Sequence, residues 1–308
     1  MKPLFAYVGG KTFLKNKLVE CLKLILNNNN FKSYEEWFAG GLGSFFAVSD
    51  VLIEYKIKEI LLNDINKNLI SLYSYIYNGN SEKIINDYIK IENEFHSFID
   101  NETKQLDKRK DKDLLKEKLI PARDFYKSIV LLFNSSNNYF DKAVYLTFLQ
   151  NHCFNGIYRE NQKGQYNTPF NWEARLVTKE MISEKINNIV NCFSNFKIEF
   201  SSVDFSKIKK TNSVIYLDPP YLNENNDENS YHKDNFGLDR QIELLDKIKD
   251  YKYIYSNHND ERIRNYFNNN LLNNNNNLII ETINRKNTIS SSAESRKTDK
   301  VEILVIQK

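Results

Sequence analysis

The stretch YEEWFAGGLGSFFAVSDVLIEYKIKEILLND, Tyr34 to Asp64, decides the fold. Tyr34–Phe38 reads as a strand that runs into a turn carrying Gly40, Gly41 and Gly43. Ser44–Ile53 then has a helical period, and Glu59–Asn63 is a second run of strand length that stops on Asp64. Strand, helix and strand in this order make a β–α–β unit, the opening of a parallel sheet. Downstream, Asn66–Tyr77 is helical. Upstream, Lys11–Leu26 puts Leu14, Leu18, Cys21, Leu22 and Ile25 on one helix face.

The pattern then changes. From about Ser81 to Gln150 the period is helical, with a mixed-sign charge run at Asp107–Lys118 that reads as a solvated face. Asn151–Asn171 is rich in turn residues. Strand-like runs return at Lys197–Ser202, Ser213–Leu217, Lys252–Ser256, Leu278–Ile283 and Val301–Ile306, with a helical period over Leu238–Ile248. The expected fold class is α/β: a sheet domain made from the two ends of the chain, at 1–74 and 186–308, with a mostly helical insertion at 75–185. The 308 residues suffice for a core domain plus such an insertion. With 41% hydrophobic residues the composition is globular, and a net charge of +3 is compatible with a nucleic-acid partner without requiring one. Cys21, Cys153 and Cys192 lack metal-ligand or CxxC spacing, which reads as reduced thiols in a cytoplasmic protein. The asparagine runs Asn27–Asn30, Asn268–Asn270 and Asn273–Asn277 read as surface loops.

The glycine turn and Asp64 suggest a cofactor. Glycines let the backbone approach a ligand closely, and an acid at the end of the next strand is placed to accept hydrogen bonds from ribose hydroxyls. The third glycine of a dinucleotide turn is missing, since Phe46 stands there. An adenosine-containing cofactor without a pyrophosphate fits better.

A second signal is SVIYLDPPYLNENNDENSYHKDNF, Ser213 to Phe236. A buried strand ends on Asp218, followed by Pro219, Pro220 and Tyr221. Open α/β sheets bind ligands at the carboxyl ends of their strands. An exocyclic aromatic amine such as N6 of adenine is a poor nucleophile, because its lone pair is delocalised into the ring. Two acceptors aimed at its N–H bonds favour a tetrahedral nitrogen and stabilise the developing charge. Asp218 offers one acceptor and the Pro219 carbonyl the other, with its direction pre-set by proline. Tyr221 offers a face on which an extruded base can stack.

At these residues the sequence resembles the Dam-type, alpha-group DNA adenine-N6 methyltransferases, over nearly the whole chain. YVGGK (Tyr7–Lys11), EWFAGGLGS (Glu36–Ser44, with Trp37 where proline is usual), NDIN (Asn63–Asn66) and DPPY (Asp218–Tyr221) are similar to motifs of that family. CFNGIYRENQKGQYNTPFN (Cys153–Asn171) is similar to its DNA-reading hairpin, and SNHND (Ser256–Asp260) and Ile283–Val305 to its C-terminal strands and loop. The resemblance implies a Rossmann-like methyltransferase sheet, S-adenosyl-L-methionine as methyl donor, and double-stranded DNA as partner. It makes 75–185 the target-recognition domain, with the hairpin at about 153–171. Carried over by position, Tyr7, Lys11, Asp64 and Asp218 contact the cofactor. Glu36 and the Phe38–Gly43 turn, including Gly41, approach its methionine part, and Asp204 and Phe205 hold its adenine. A monomer is expected, in the bacterial or phage setting of the family, where a cognate restriction endonuclease is a further partner.

In the hairpin, Arg159, Asn161, Lys163, Gln165 and Asn167 alternate with aromatics, a pattern suited to reading base edges. Asn161 is the expected residue to fill the gap left by a flipped base. Arg285, Lys286, Arg296, Lys297 and Lys300 surround Ser290–Ser292 and read as phosphate contacts or as a solvated loop. The four histidines show no metal-ligand spacing. Two rival readings stand beside this one. The first is transfer to cytosine N4, whose enzymes more often carry serine in place of the aspartate. The second is an inert DNA-binding protein that keeps the fold.

Overall fold

The computed structural model describes residues 3–5, 7, 11–173, 176–209, 211–222, 236–271, 277–286 and 299–308. The described chain divides into two compact units. The first holds Asn66–Ser194 with the N-terminal residues before Lys11. The second holds Lys11–Ile65 and the described residues from Asn195 to Lys308.

The second unit is the α/β one. It opens with α1 (Lys15–Leu26), β1 (Ser33–Glu36), α2 (Gly43–Glu54) and β2 (Glu59–Asn63). A 3-10 turn at Thr12–Leu14 precedes α1, where the sequence led us to expect one continuous helix from Lys11. β1 ends at Glu36 instead of Phe38. Beyond it the regular ladder gives way to bonds with Asn63, the last residue of β2: Asn63 Nδ2 donates to the Trp37 carbonyl at 3.0 Å, and the Ala39 N–H donates to the Asn63 carbonyl at 2.9 Å.

The chain then leaves for the helical unit: α3 (Lys67–Tyr77), α4 (Ser81–Ser97), α5 (Asn101–Gln105), α6 (Lys112–Lys118), α7 (Ile120–Ser135), α8 (Tyr139–His152) and α9 (Lys179–Phe193). This unit reaches further at both ends than the insertion expected at 75–185. α3 packs on α8 and α9, and α9 also packs on α4, so the first and last helices share one core with the rest. Asn66 caps α3 by accepting from the N–H groups of Asn68 and Leu69.

The chain returns as β3 (Lys197–Ser201), β4 (Ser213–Leu217), α10 (Leu238–Ile248), β5 (Lys252–His258), α11 (Glu261–Tyr266), β6 (Leu278–Lys286) and β7 (Asp299–Gln307). The sheet order is β3-β2-β1-β4-β5-β7-β6. The first five strands are parallel, and β7 joins antiparallel to both β5 and β6. This is the mixed, Rossmann-like methyltransferase sheet that the sequence leads one to expect. The strand order reverses between β1 and β4, so their carboxyl ends open onto a topological switch point. All five β4 side chains are buried, as a central parallel strand requires. Among the described residues no helix is long and apolar enough to cross a membrane.

Candidate active site

The carboxyl ends of β1, β2 and β4 carry the residues singled out in the sequence. At the end of β1, Glu36 is wholly buried and accepts from the Tyr34 hydroxyl at 2.6 Å and the Ser44 hydroxyl at 2.8 Å. It therefore ties the strand to the first turn of α2. Burial pushes its carboxyl up to about 8, against the pull of those two hydroxyls. Trp37 stands where the family usually has proline, and it is accommodated by a buried partner: its indole N–H donates to Glu35 Oε2 at 2.7 Å.

In the turn that follows, Gly40 has φ +48° and Leu42, a non-glycine residue, has φ +60°. The Gly40 N–H donates to Asp64 Oδ2 at 2.8 Å, so the turn and the acid at the end of β2 hold each other. Gly41 is buried. A Cβ built on Gly43 meets no atom within 4 Å, so the turn borders open space that a side chain would otherwise occupy. Ile65, next to Asp64, is 56% exposed, a large apolar side chain at the surface beside the acid. Phe38, Phe205 and Phe236 form a cluster with ring centroids 5.6–5.9 Å apart, and the Arg240 guanidinium lies 4.4 Å from the Phe205 centroid. Asp204 accepts from the Ser206 N–H at 2.9 Å and pairs with Arg240. Burial acts upward on Asp204, but these partners hold it below its ordinary value.

At the end of β4 stands Asp218, whose side chain is 17% exposed. Its Oδ1 faces Lys11 Nζ at 2.7 Å and accepts from the Ser256 hydroxyl at 3.2 Å. Among the described residues, nothing donates to Oδ2 or to the Pro219 carbonyl. Burial raises the Asp218 carboxyl above its ordinary value, and the Lys11 ammonium pulls back against it. Lys11 is only 2% exposed and also donates to the Tyr221 hydroxyl at 2.7 Å, its Nζ lying 4.9 Å from that ring's centroid. The Tyr221 hydroxyl in turn donates to buried Glu302 of β7 at 3.2 Å. The Pro220 carbonyl accepts from Gln241 Nε2 at 2.7 Å.

Lys11, Asp218, Pro219, Pro220 and Tyr221 thus meet at one strand end. Tyr7 belongs to the helical unit, its ring 6.4 Å from that of Tyr158. Ser256, Gln241, Glu302, Arg240 and Ile65 were not singled out for roles from sequence. Gln241 left a readable signal. It falls on the α10 stripe with Leu244, Leu245 and Ile248, and an amide at a core position calls for a partner.

The helical unit carries the hairpin. Cys153 bridges Phe170, and Glu160 bridges Tyr166. Tyr158, Tyr166 and Phe170 are buried at its base. Asn134 of α7 exchanges two 2.9 Å bonds with the Tyr166 backbone, fixing the hairpin to the helices. Beneath it, buried Glu92 bonds His152 at 2.9 Å and the Val177 N–H at 3.1 Å. Arg159 donates to Asn167 through its Nε at 2.9 Å and a terminal nitrogen at 3.0 Å. Asn161 closes the tip, its Oδ1 accepting from the N–H groups of Lys163 and Gln165. Lys163 is exposed at that tip. Arg285 stands in β6, in register with Lys300 of β7. Arg296, Ser290–Ser292 and Lys297 lie outside the described residues, as does the polar segment 223–235.

Comparison with known proteins gives the family. The profile of the D12 class N6 adenine-specific DNA methyltransferases matches residues 7–287. A Type II methyltransferase, M.MjaIII of Methanocaldococcus jannaschii, is 28% identical over 316 aligned positions, covering 99% of each chain. The DNA adenine methylase of Haemophilus influenzae is 24% identical, covering 87% of this chain and 83% of its own. That of Escherichia coli K12 is 24% identical, covering 82% and 81%. The chain belongs to the D12 class of N6 adenine-specific DNA methyltransferases.

Proposed function

We propose that this enzyme uses S-adenosyl-L-methionine to methylate N6 of an adenine extruded from double-stranded DNA, with Asp218 and the Pro219 carbonyl as an amine clamp. The carrying observation is the pair of oxygens, Asp218 Oδ2 and the Pro219 carbonyl, that face no donor among the described residues at the end of a buried central strand. Asp218 Oδ2 and that carbonyl accept the two N–H bonds of the amine, which favours a tetrahedral nitrogen and offsets its growing positive charge. Tyr221, held through its hydroxyl by Lys11 and Glu302, gives the base a face to stack on. After transfer the amine is a cation, and its proton leaves without a strong base.

The residues suit the proposed donor. Open space beside Gly43 admits a ligand, Asp64 is the ribose acceptor, and exposed Ile65 with the half-buried rings of Phe38 and Phe236, backed by buried Phe205, offers apolar surface for an adenine ring. Asp204 shapes that end of the site through Arg240. Bound there, S-adenosylmethionine supplies a sulfonium-activated methyl group. Glu36 and Gly41 set the turn. In the helical unit, the Arg159–Asn167 pair and Lys163 are the proposed DNA readers, and the tip built around Asn161 fills the space left by the flipped base. Arg285 and Arg296 are proposed phosphate contacts.

The test is transfer of tritiated methyl from S-adenosylmethionine to unmethylated DNA, with the product nucleoside identified by mass spectrometry. N6-methyldeoxyadenosine is expected. N4-methyldeoxycytidine, or no transfer, would refute the proposal. Sequencing the methylated DNA gives the target site. It also tests a role beside a cognate endonuclease, suggested by the Type II name of the M. jannaschii relative.

A further inference from the structure

Four hydrogen bonds run in one direction from the end of β5 to the Asp218–Tyr221 segment. The His258 N–H donates to Asn257 Oδ1 at 2.7 Å, and Asn257 Nδ2 donates to the Tyr255 hydroxyl at 2.9 Å. That hydroxyl donates to Gln241 Oε1 at 3.0 Å, and Gln241 Nε2 donates to the Pro220 carbonyl at 2.7 Å. The two ends fix the direction. A backbone N–H only donates and a carbonyl only accepts, so neither amide can turn over without setting like groups against each other. Gln241, Tyr255 and Asn257 are each fully buried, so any bond left unmade costs the desolvation of its group. Burial drives the Tyr255 hydroxyl well above its usual range, which keeps the proton that the chain of bonds needs.

Ser256 lies between Tyr255 and Asn257 and points to the other face of the strand, where it donates to Asp218 Oδ1 at 3.2 Å. Three consecutive residues of β5 therefore reach both halves of the clamp. Ser256 holds the carboxylate; Tyr255 and Asn257, through Gln241, hold the proline backbone. The proline ring fixes φ of Pro220, so a single torsion, ψ of Pro220, separates the held carbonyl from the peptide plane that carries the Pro219 carbonyl.

We infer that Gln241, Tyr255 and Asn257 are positioning residues for methyl transfer: they orient the Pro219 carbonyl by anchoring that of Pro220. This rests on the clamp reading above. The relay does not touch the cofactor, so its loss lowers the rate of transfer and leaves cofactor affinity intact.

Tyr255→Phe removes one hydroxyl and keeps the ring. Without its donor, the Gln241 amide is free to turn over. Single-turnover transfer of tritiated methyl to unmethylated plasmid DNA is expected to fall about ten- to a hundredfold. Thermal denaturation is expected to report an intact fold, and S-adenosylmethionine affinity to match wild type. Gln241→Glu supplies a readout that packing alone would not move. A protonated Glu can accept from Tyr255 and donate to Pro220, whereas an ionised one sets oxygen against oxygen. Its rate relative to wild type is expected to rise as pH falls, while that of Gln241→Leu stays low and level. Wild-type transfer by Tyr255→Phe, or a loss confined to cofactor affinity, would overturn the inference. So would the same pH course for both Gln241 variants, a comparison that decides the matter if Tyr255→Phe does not fold. Asp218→Ala separates the two levels. If it still transfers methyl groups, the clamp itself is wrong. If it is inactive while the relay variants behave as wild type, only the relay is wrong.

Discussion

Lys11→Met is the most informative single change at the base of the site. The ammonium is almost fully buried, 2.7 Å from Asp218 Oδ1 and 2.7 Å from the Tyr221 hydroxyl. Methionine matches the length of the lysine stem and lacks its ammonium group. At that separation two unit charges attract by about 6 kcal/mol at an effective dielectric of 20, and breaking a buried pair typically costs about 3–5 kcal/mol. Asp218 can escape part of this by taking a proton, so we expect a loss of about 3 kcal/mol. For a chain of this size that is a fall of roughly 6 °C in Tm at neutral pH. The effect on activity follows from the same charge. Burial already raises the Asp218 carboxyl, and Lys11 opposes that rise. Without Lys11 it rises further, and protonation takes away an acceptor that the amine needs. The acidic limb of the single-turnover transfer rate should therefore move to higher pH, by about one unit for each 1.4 kcal/mol of lost attraction. A carboxyl raised in the native state binds its proton more tightly than in the unfolded chain, so its stabilising contribution is present at low pH and lost as pH rises. The Tm deficit of the variant should thus shrink on acidification. The assay is methyl transfer against pH, paired with thermal denaturation across the same range. An unmoved acidic limb together with a Tm within about 1 °C of wild type would show that the Lys11 charge does not hold Asp218 ionised.

Glu36→Gln tests the buried carboxyl at the glycine turn. The gap between its ordinary 4.5 and about 8 in the protein corresponds to roughly 5 kcal/mol, which wild type loses as pH rises through that window. The glutamine variant should hold its Tm over the same range, and parallel curves for the two proteins would show that the carboxyl is not raised. Asp64→Asn keeps an acceptor for the Gly40 N–H but loses the charge. S-adenosylmethionine affinity by titration calorimetry should weaken by about tenfold, as for loss of one charged hydrogen bond, and unchanged affinity would remove Asp64 from the cofactor site. Arg159→Ala breaks the pair with Asn167. Sequencing of methylated DNA should show relaxed site choice with the transfer rate at the best site retained, and an unaltered site profile would exclude Arg159 as a reader.

The sheet was legible because its signals are local. Glu59–Asn63, Ser213–Leu217 and Leu238–Ile248 were read to the residue, since an apolar run or a one-faced period marks both ends. Asp218 and Tyr221 were legible as chemistry through the Asp-Pro-Pro-Tyr run, and Lys11 only through the resemblance of Tyr7–Lys11 to a family motif. Their meeting was not: Lys11 and Asp218 stand far apart in the chain, and only the sheet order joins them. The end of β1 was misplaced because Trp37 and Phe38 look like strand residues, whereas the side chain of Asn63 takes over from the ladder at Trp37. The limits of the helical unit were misplaced because α3 and α9 bury faces against other helices, and an amphipathic helix does not state its partner in its own sequence. Gln241 and Glu302 look like ordinary members of a helix and a strand, although a polar residue in an apolar stripe announces a buried bond.

The most direct measurement is a crystal structure of the enzyme with a non-reactive S-adenosylmethionine analogue and a duplex containing its target site. We expect the flipped adenine with its exocyclic nitrogen about 3 Å from both an Asp218 carboxylate oxygen and the Pro219 carbonyl, its ring against Tyr221. An exocyclic nitrogen beyond hydrogen-bond reach of either oxygen, or a Pro219 carbonyl turned into packed protein, would contradict the amine clamp.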